Sequence, residues 1–392
     1  MKVRSSTTKS IRRISTTSPE PENRTSPQLK ACPADVSEIS GRPCAVKVSS
    51  QGQALANLGA NIASTLPPTI AQPLAESFKA GFVEGYLTPK TIREQCEQLA
   101  DEFPELVELI DTGIKTHGYD GSNEEVRGPA ELFYLRLGPR DSDRDRKVGV
   151  FQYAAPHARE RVNPMSMMEF THQLVHNYDP TSQDPKVKAN TELLDKLDVY
   201  IAINTNPDGH NFAAYDDDMW RKNRAPLPSG EFGVDINRNY PYQWQDSLDY
   251  SSEIYSGENP ASEPETQALL QVVEKHPNIQ FVVDWHSYGQ EIRRPLAVSE
   301  RDEGIYDTMH SRVQKVMNEA CGNEYQAVVS QVTNGTSDDT FYQEQGMYST
   351  VMETGTEFTP PESEALVVMK ESVEGAHEFL RVASDWSEGK LK

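Results

Sequence analysis

Short runs of β-branched and aromatic residues recur along this chain, separated by stretches of helical periodicity, and that alternation restricts the fold more than any other feature. The clearest run is Val148-Gly149-Val150-Phe151-Gln152-Tyr153, which reads as a buried central strand. Val199 to Ile203, Ile279 to Val283 and Tyr348 to Met352 have the same character. Leu106 to Ile110 reads as an edge strand and Glu131 to Leu137 as another, with a charged turn from Asp141 to Arg146. Helical patterns are expected over 164–178, 262–275, 302–320 and 363–383, and Thr88-Pro89 opens an earlier helix with Ile92, Cys96, Leu99 and Ala100 on one face. Asn163 and Pro164 are expected as the cap and first residue of the 164–178 helix. Strands alternating with helices argue an α/β domain with a mainly parallel sheet covered on both faces. Ligand sites in such sheets lie past the carboxyl ends of the strands.

The 392 residues carry 60 acidic against 38 basic side chains, a net charge of −22. Such a surface disfavours nucleic acids and anionic membranes as partners, and no apolar run reaches the length of a membrane span. The first 30 residues run the other way, with seven Lys/Arg and two Glu. Met1 to Ser18 is mostly Ser, Thr, Lys and Arg without an apolar core, which is not a Sec-type signal. A disordered arm is the preferred reading, with a transit peptide or specialised-export leader as the alternatives. Residues 1–80 are thus expected as a disordered or linker extension, and 81–392 as one catalytic domain. Cys32, Cys44, Cys96 and Cys321 have no metal-type spacing and indicate no disulfide framework.

Chemistry-bearing residues gather where the strands end. His157 and Glu160 follow the 148–153 strand in a tight turn marked by Pro156. His286 closes the 279–283 strand, and Glu353 closes the last one, just before Thr354-Gly355. Two strand-end histidines and a carboxylate fit a three-ligand site for a divalent metal, zinc favoured, with one position left for water. Glu353 beside such a metal is placed to accept a proton from that water. Asn237-Arg238 in a loop offers a bidentate guanidinium for a carboxylate. Asn206-Pro207-Asp208-Gly209 reads as a plain tight loop.

In order, the chain shows H-x-x-E (His157, Glu160), N-P-D-G (206–209), W-R-K-x-R (220–224), G-V-D-x-N-R-N (233–239), S-E-P-E-T (262–266), D-x-H-S-Y-G (284–289), S-D-D (337–339) and E-T-G (353–355). Together these resemble the zinc metallocarboxypeptidases of the carboxypeptidase A/B type, across roughly residues 86–383. The resemblance implies a single α/β domain, a mixed sheet of about eight twisted strands with helices on both faces. It implies one Zn²⁺ per chain on His157, Glu160 and His286, and Glu353 as general base. It implies that Arg221 polarises the scissile carbonyl, that Asn237 and Arg238 hold the substrate's terminal carboxylate, and that Arg159 is an auxiliary substrate contact. Asp235 corresponds to the carboxylate that orients the first zinc histidine. The expected partners are peptide or protein C-termini, and the expected state is a monomer.

Asp338 matches the base of the family's pocket for the terminal side chain, where an aspartate goes with basic termini. The alternative at this position is a turn residue facing solvent. In place of the family's mobile tyrosine the chain has Gln331 or, one residue shifted, Ser330. The family's inhibitory pro-domain is larger than the stretch preceding the match, so residues 1–80 are not expected to act as a folded inhibitor. Export is suggested by the resemblance alone, with the cytoplasm as the alternative. Two other functions fit the same scaffold: an amide hydrolase acting on cell-wall peptides or acylated amino acids, and a non-catalytic zinc-binding protein.

Overall fold

The computed structural model describes residues 85–391 apart from 142, 332 and 333, so the expectation for residues 1–80 lies outside the described residues. Strands β1 (Val107–Lys115), β2 (Glu131–Leu137), β3 (Val148–Ala154), β4 (Leu197–Ala202), β5 (Ile279–His286), β6 (Glu291–Arg294), β7 (Gln326–Val329) and β8 (Tyr348–Glu353) form one mixed sheet. Its order is β1-β2-β4-β3-β5-β8-β6-β7. The central β4-β3-β5-β8 block is parallel, and antiparallel pairings flank it on both sides.

The helices are α1 (Pro89–Glu102), α2 (Val162–His176), α3 (Pro185–Lys196), α4 (Pro207–Tyr215), α5 (Pro264–Lys275), α6 (Glu300–Cys321), α7 (Ser337–Gln343) and α8 (Glu362–Ser387). They cover both faces of the sheet. One core layer joins Val150, Val199, Phe281 and Met352 to Leu174 of α2, Met309 of α6 and Phe379 of α8. The opposite layer joins Phe151, Tyr153, Tyr200 and Val282 to Leu269 and Val272 of α5 and to Phe341 of α7. Successive β3 residues therefore serve opposite layers, and the strand has no polar face to spare. Each such aliphatic or aromatic side chain contributes roughly 1.5–3 kcal/mol on full burial. The polar Gln152 inside this core is fully paired: it accepts from Trp285 Nε1 at 3.0 Å and donates to the Ala376 carbonyl at 3.2 Å.

Several local expectations are corrected. β2 lies inside the sheet between β1 and β4 rather than at an edge. Helix α2 begins two residues before Pro164, with Arg161 as its cap, and the Asn163 side chain instead accepts from the Thr354 hydroxyl at 2.7 Å. N-P-D-G opens α4 instead of forming a plain loop, because the turn formers here are also helix starters. Asn206 accepts from the Gly209 amide at 3.0 Å, and Pro207 occupies the first turn. S-D-D likewise opens α7. Helix α3 and strands β6 and β7 had no counterpart in the sequence reading.

Candidate metal centre and active site

The parallel strands β3, β5 and β8 end side by side, and each delivers one part of the site. β3 finishes at Ala154, and Ala155 then takes a left-handed conformation, φ +59°. That conformation costs an alanine roughly 1–2 kcal/mol. It turns the chain sharply, so that Pro156 leaves the sheet and His157 and Glu160 fold back over the strand ends, with the Glu160 amide donating to the His157 carbonyl at 3.2 Å. His286 is the last residue of β5, and in the parallel register it stands opposite Glu353 of β8.

His157, Glu160 and His286 are buried and offer one ligand atom each to a common point. His157 Nδ1 lies 2.7 Å from Glu160 Oε1, and His286 Nδ1 lies 3.0 Å from His157 Nδ1 and 3.1 Å from Glu160 Oε2. The far nitrogens face carboxylates: His157 Nε2 is 3.0 Å from Asp235 Oδ1, and His286 Nε2 is 3.0 Å from Asp284 Oδ2. With those Nε2–H groups donating outward, both Nδ1 lone pairs point at each other and at Glu160. Such a crowd of buried donor atoms repels itself unless a cation stands between them. The set therefore fits a divalent metal, and two nitrogens with one carboxylate are ligands zinc favours, each histidine backed by a carboxylate.

Asp235 does more than orient His157. Its Oδ2 accepts two hydrogen bonds from Arg221, from Nε at 3.1 Å and Nη2 at 2.9 Å. Burial alone would push its carboxyl up, but Arg221, His157 and Arg238 together hold it well below the usual carboxylate range. The same Asp235 caps a short 3-10 turn, Ile236–Arg238, that carries Asn237 and Arg238. Asn237 Nδ2 lies 3.3 Å from His286 Nε2, and its Oδ1 accepts from the Ser337 amide at 2.8 Å. Gly335 packs behind this turn at φ +66°, and a Cβ there would stand 2.2 Å from the Arg238 carbonyl oxygen. Only glycine fits both the conformation and the approach.

These groups open onto a cavity of about 570 Å³ whose wall includes His157, Glu160, Arg221, Asn237, Arg238 and Glu353. Burial pushes the Glu353 carboxyl up, His286 and Arg293 pull against it, and the net result is raised. Ser330, Thr336 and Asp338 line the same cavity. Asp338 accepts from the Ser330 hydroxyl at 2.5 Å, and burial raises its carboxyl despite the Ser330 and Thr336 hydrogen bonds. The alternative of a solvent-facing turn residue is thereby excluded, since Asp338 is only 3% exposed. Gln331 also lines the cavity.

Three expected residues are not part of the cavity wall: His286 and Asp235, which lie behind it, and Arg159. The Arg159 guanidinium lies over the Phe358 ring at 4.2 Å and donates to the Met219 carbonyl at 3.0 Å. Among the site residues without a role in the sequence analysis are Asp284 behind His286, and the cavity-lining Glu291 and Arg293. Asp284 carried a usable signal, since two residues before His286 on a strand is the same face. Glu291 and Arg293 carried none, because their strand has no apolar pattern.

Residues 92–375 match the family model described as zinc carboxypeptidase. Among curated relatives, Zinc carboxypeptidase A 1 of Anopheles gambiae is 33% identical over 214 residues, 54% of this chain and 44% of that protein. Carboxypeptidase A1 of Sus scrofa is 29% identical over 273 residues, 66% of this chain and 60% of that protein. The chain spans about half the length of the curated relatives it matches. Among solved structures, thrombin activatable fibrinolysis inhibitor superposes with a TM-score of 0.67 at 22% identity, covering 85% of this chain and 80% of that one. Carboxypeptidase A from Helicoverpa armigera gives 0.66 at 21%, covering 84% and 82%. At these identities the structural likeness speaks to the fold.

Proposed function

The chain belongs to the zinc carboxypeptidase family, and from that premise we propose that it hydrolyses the last peptide bond of peptides or proteins, with His157, Glu160 and His286 as the zinc ligands. The observation that carries this reading is the convergence of those three donor groups, with His157 and Glu160 lining one cavity together with Glu353 and Arg221. His157, Glu160 and His286 would hold a zinc ion, which would supply Lewis acidity and make a water molecule more acidic there. Glu353 takes the proton from the attacking water and returns it to the leaving amine. Arg221, held side-on by Asp235, keeps the rest of its guanidinium for the carbonyl oxygen as negative charge develops, an interaction whose loss typically costs ~3 kcal/mol of barrier. Asn237 and Arg238 bind the free terminal carboxylate, which makes the enzyme an exopeptidase. Arg159, stacked on Phe358 outside the cavity wall, contacts the substrate further from the scissile bond.

Blocked peptides with a free C-terminal acid should be cleaved, and the same peptides amidated at the C-terminus should lose most of that activity. Comparable rates on acid and amide would remove the clamp role from Arg238 and favour an amidase or endopeptidase. Comparing blocked dipeptides with cell-wall peptides separates peptidase from amide hydrolase on the same scaffold.

The terminal side chain is read by Asp338, and the expected preference is for Arg or Lys. A carboxylate buried without a counter-ion is costly, and a substrate cation relieves that cost. Asp338→Ala should lower the ratio of kcat/KM for Arg-ending over Phe-ending substrates by roughly 10-fold, about 1.4 kcal/mol. A wild-type enzyme that favours Phe and ignores the substitution would refute the pocket assignment and leave the hydrolytic reading intact.

A further inference from the structure

Strand β6 brings two charges into the cavity that reads the terminal side chain. In its antiparallel pairing with β8, Glu291 stands opposite Glu353 and Arg293 opposite Val351. Residues two apart on a strand share a face, and Glu291, Arg293, Val351 and Glu353 all line the cavity. Arg293 donates from Nε at 2.9 Å to Glu291 Oε2, and its Nη2 lies 2.8 Å from the same oxygen. Its Nη1 lies 3.1 Å from Glu353 Oε1. The Arg293 side chain retains 36% of its exposure, so it borders the open space.

Beyond the metal ligands, three carboxylates thus face this cavity: Glu291, Glu353 and Asp338. The chain's own guanidinium already engages the first two, and Asp338 lines the same cavity. A substrate ending in Arg or Lys must bring a second cation into the same confined space, where charges interact more strongly than in bulk water. An apolar terminus meets no such opposition.

We propose that Arg293 is a specificity-determining residue, a built-in cation that competes with a basic terminal side chain for the cavity's carboxylates and restrains the selectivity Asp338 would otherwise give. This rests on the carboxypeptidase reading above. It assigns the β6 pair a role in choosing among substrates: Glu291 anchors the guanidinium, and Arg293 sets how much negative charge a substrate finds.

The test compares wild type with Arg293→Met, which keeps length and removes charge, and with Arg293→Lys, which keeps a cation. On each enzyme, kcat/KM is measured for matched substrates ending in Arg and in Phe. Taking the ratio on one enzyme cancels any change at Glu353, which both substrates share. The Arg/Phe ratio should rise about tenfold or more in Arg293→Met and stay within about threefold of wild type in Arg293→Lys. An unchanged or lower ratio in Arg293→Met overturns the proposal, and so does an equal rise in both variants, which would report space rather than charge. Calorimetric titration of the zinc-loaded proteins with free L-arginine and L-phenylalanine reads the same ratio without turnover. A protein that hydrolyses nothing yet shows the tenfold shift in binding would retain the role of Arg293 and refute the carboxypeptidase reading instead.

Discussion

Glu353→Gln should reduce kcat by about 100-fold to 10,000-fold, the usual weight of a general base, with zinc content and substrate binding preserved. The substitution is nearly isosteric and removes only the ability to hold a proton. Glu353 ends β8 directly opposite His286, so the strand register fixes it beside the proposed metal. Its carboxyl, raised by burial against the pull of His286 and Arg293, is a better base than a solvated glutamate. Steady-state kinetics with metal analysis of the same samples checks the prediction. Near-normal turnover would move the role elsewhere, and the exposed Glu357 would be the next residue to test.

The second large effect is expected at the metal. Purified protein should hold about one zinc per chain, and a chelator should abolish activity that added zinc restores. His286→Ala should cut zinc affinity by more than the 10–100-fold that follows loss of a partner behind a ligand. It removes a donor atom and also strips Asp284 of the imidazole it faces at 3.0 Å. Full zinc retention in that variant would sink the ligand assignment. Glu353→Gln and His286→Ala therefore separate the two halves of the chemistry: one should keep the metal and lose turnover, the other should lose both.

How much of this was legible beforehand depended on where each residue sits in the sheet. β3, β4, β5 and β8 are largely buried, so runs of β-branched and aromatic residues mark them in the sequence. His157, His286 and Glu353 stand out because each interrupts or ends such a run. The short β6 and β7 lie toward one margin of the sheet, and β6 carries Glu291, Arg293 and Arg294, so no apolar alternation marks it. That Arg293 reaches Glu353 depends on an antiparallel register between segments some sixty residues apart, which no local pattern encodes. Helices α4 and α7 were hidden for a different reason. Asn206-Pro207-Asp208-Gly209 and Ser337-Asp338-Asp339 are made of residues that suit turns and helix starts equally, and tertiary packing decides between them.

One carboxylate, Asp235, serves two masters, with Oδ1 on His157 and Oδ2 on Arg221. The proposed metal centre and the proposed oxyanion donor are consequently not separable modules. Truncating Arg221 would leave Asp235 buried with half of its partners gone, and the remaining charge would fall more heavily on His157. The rate lost in an Arg221 variant would thus mix a missing donor with a perturbed ligand, and the energies of paired substitutions at 157 and 221 would not sum.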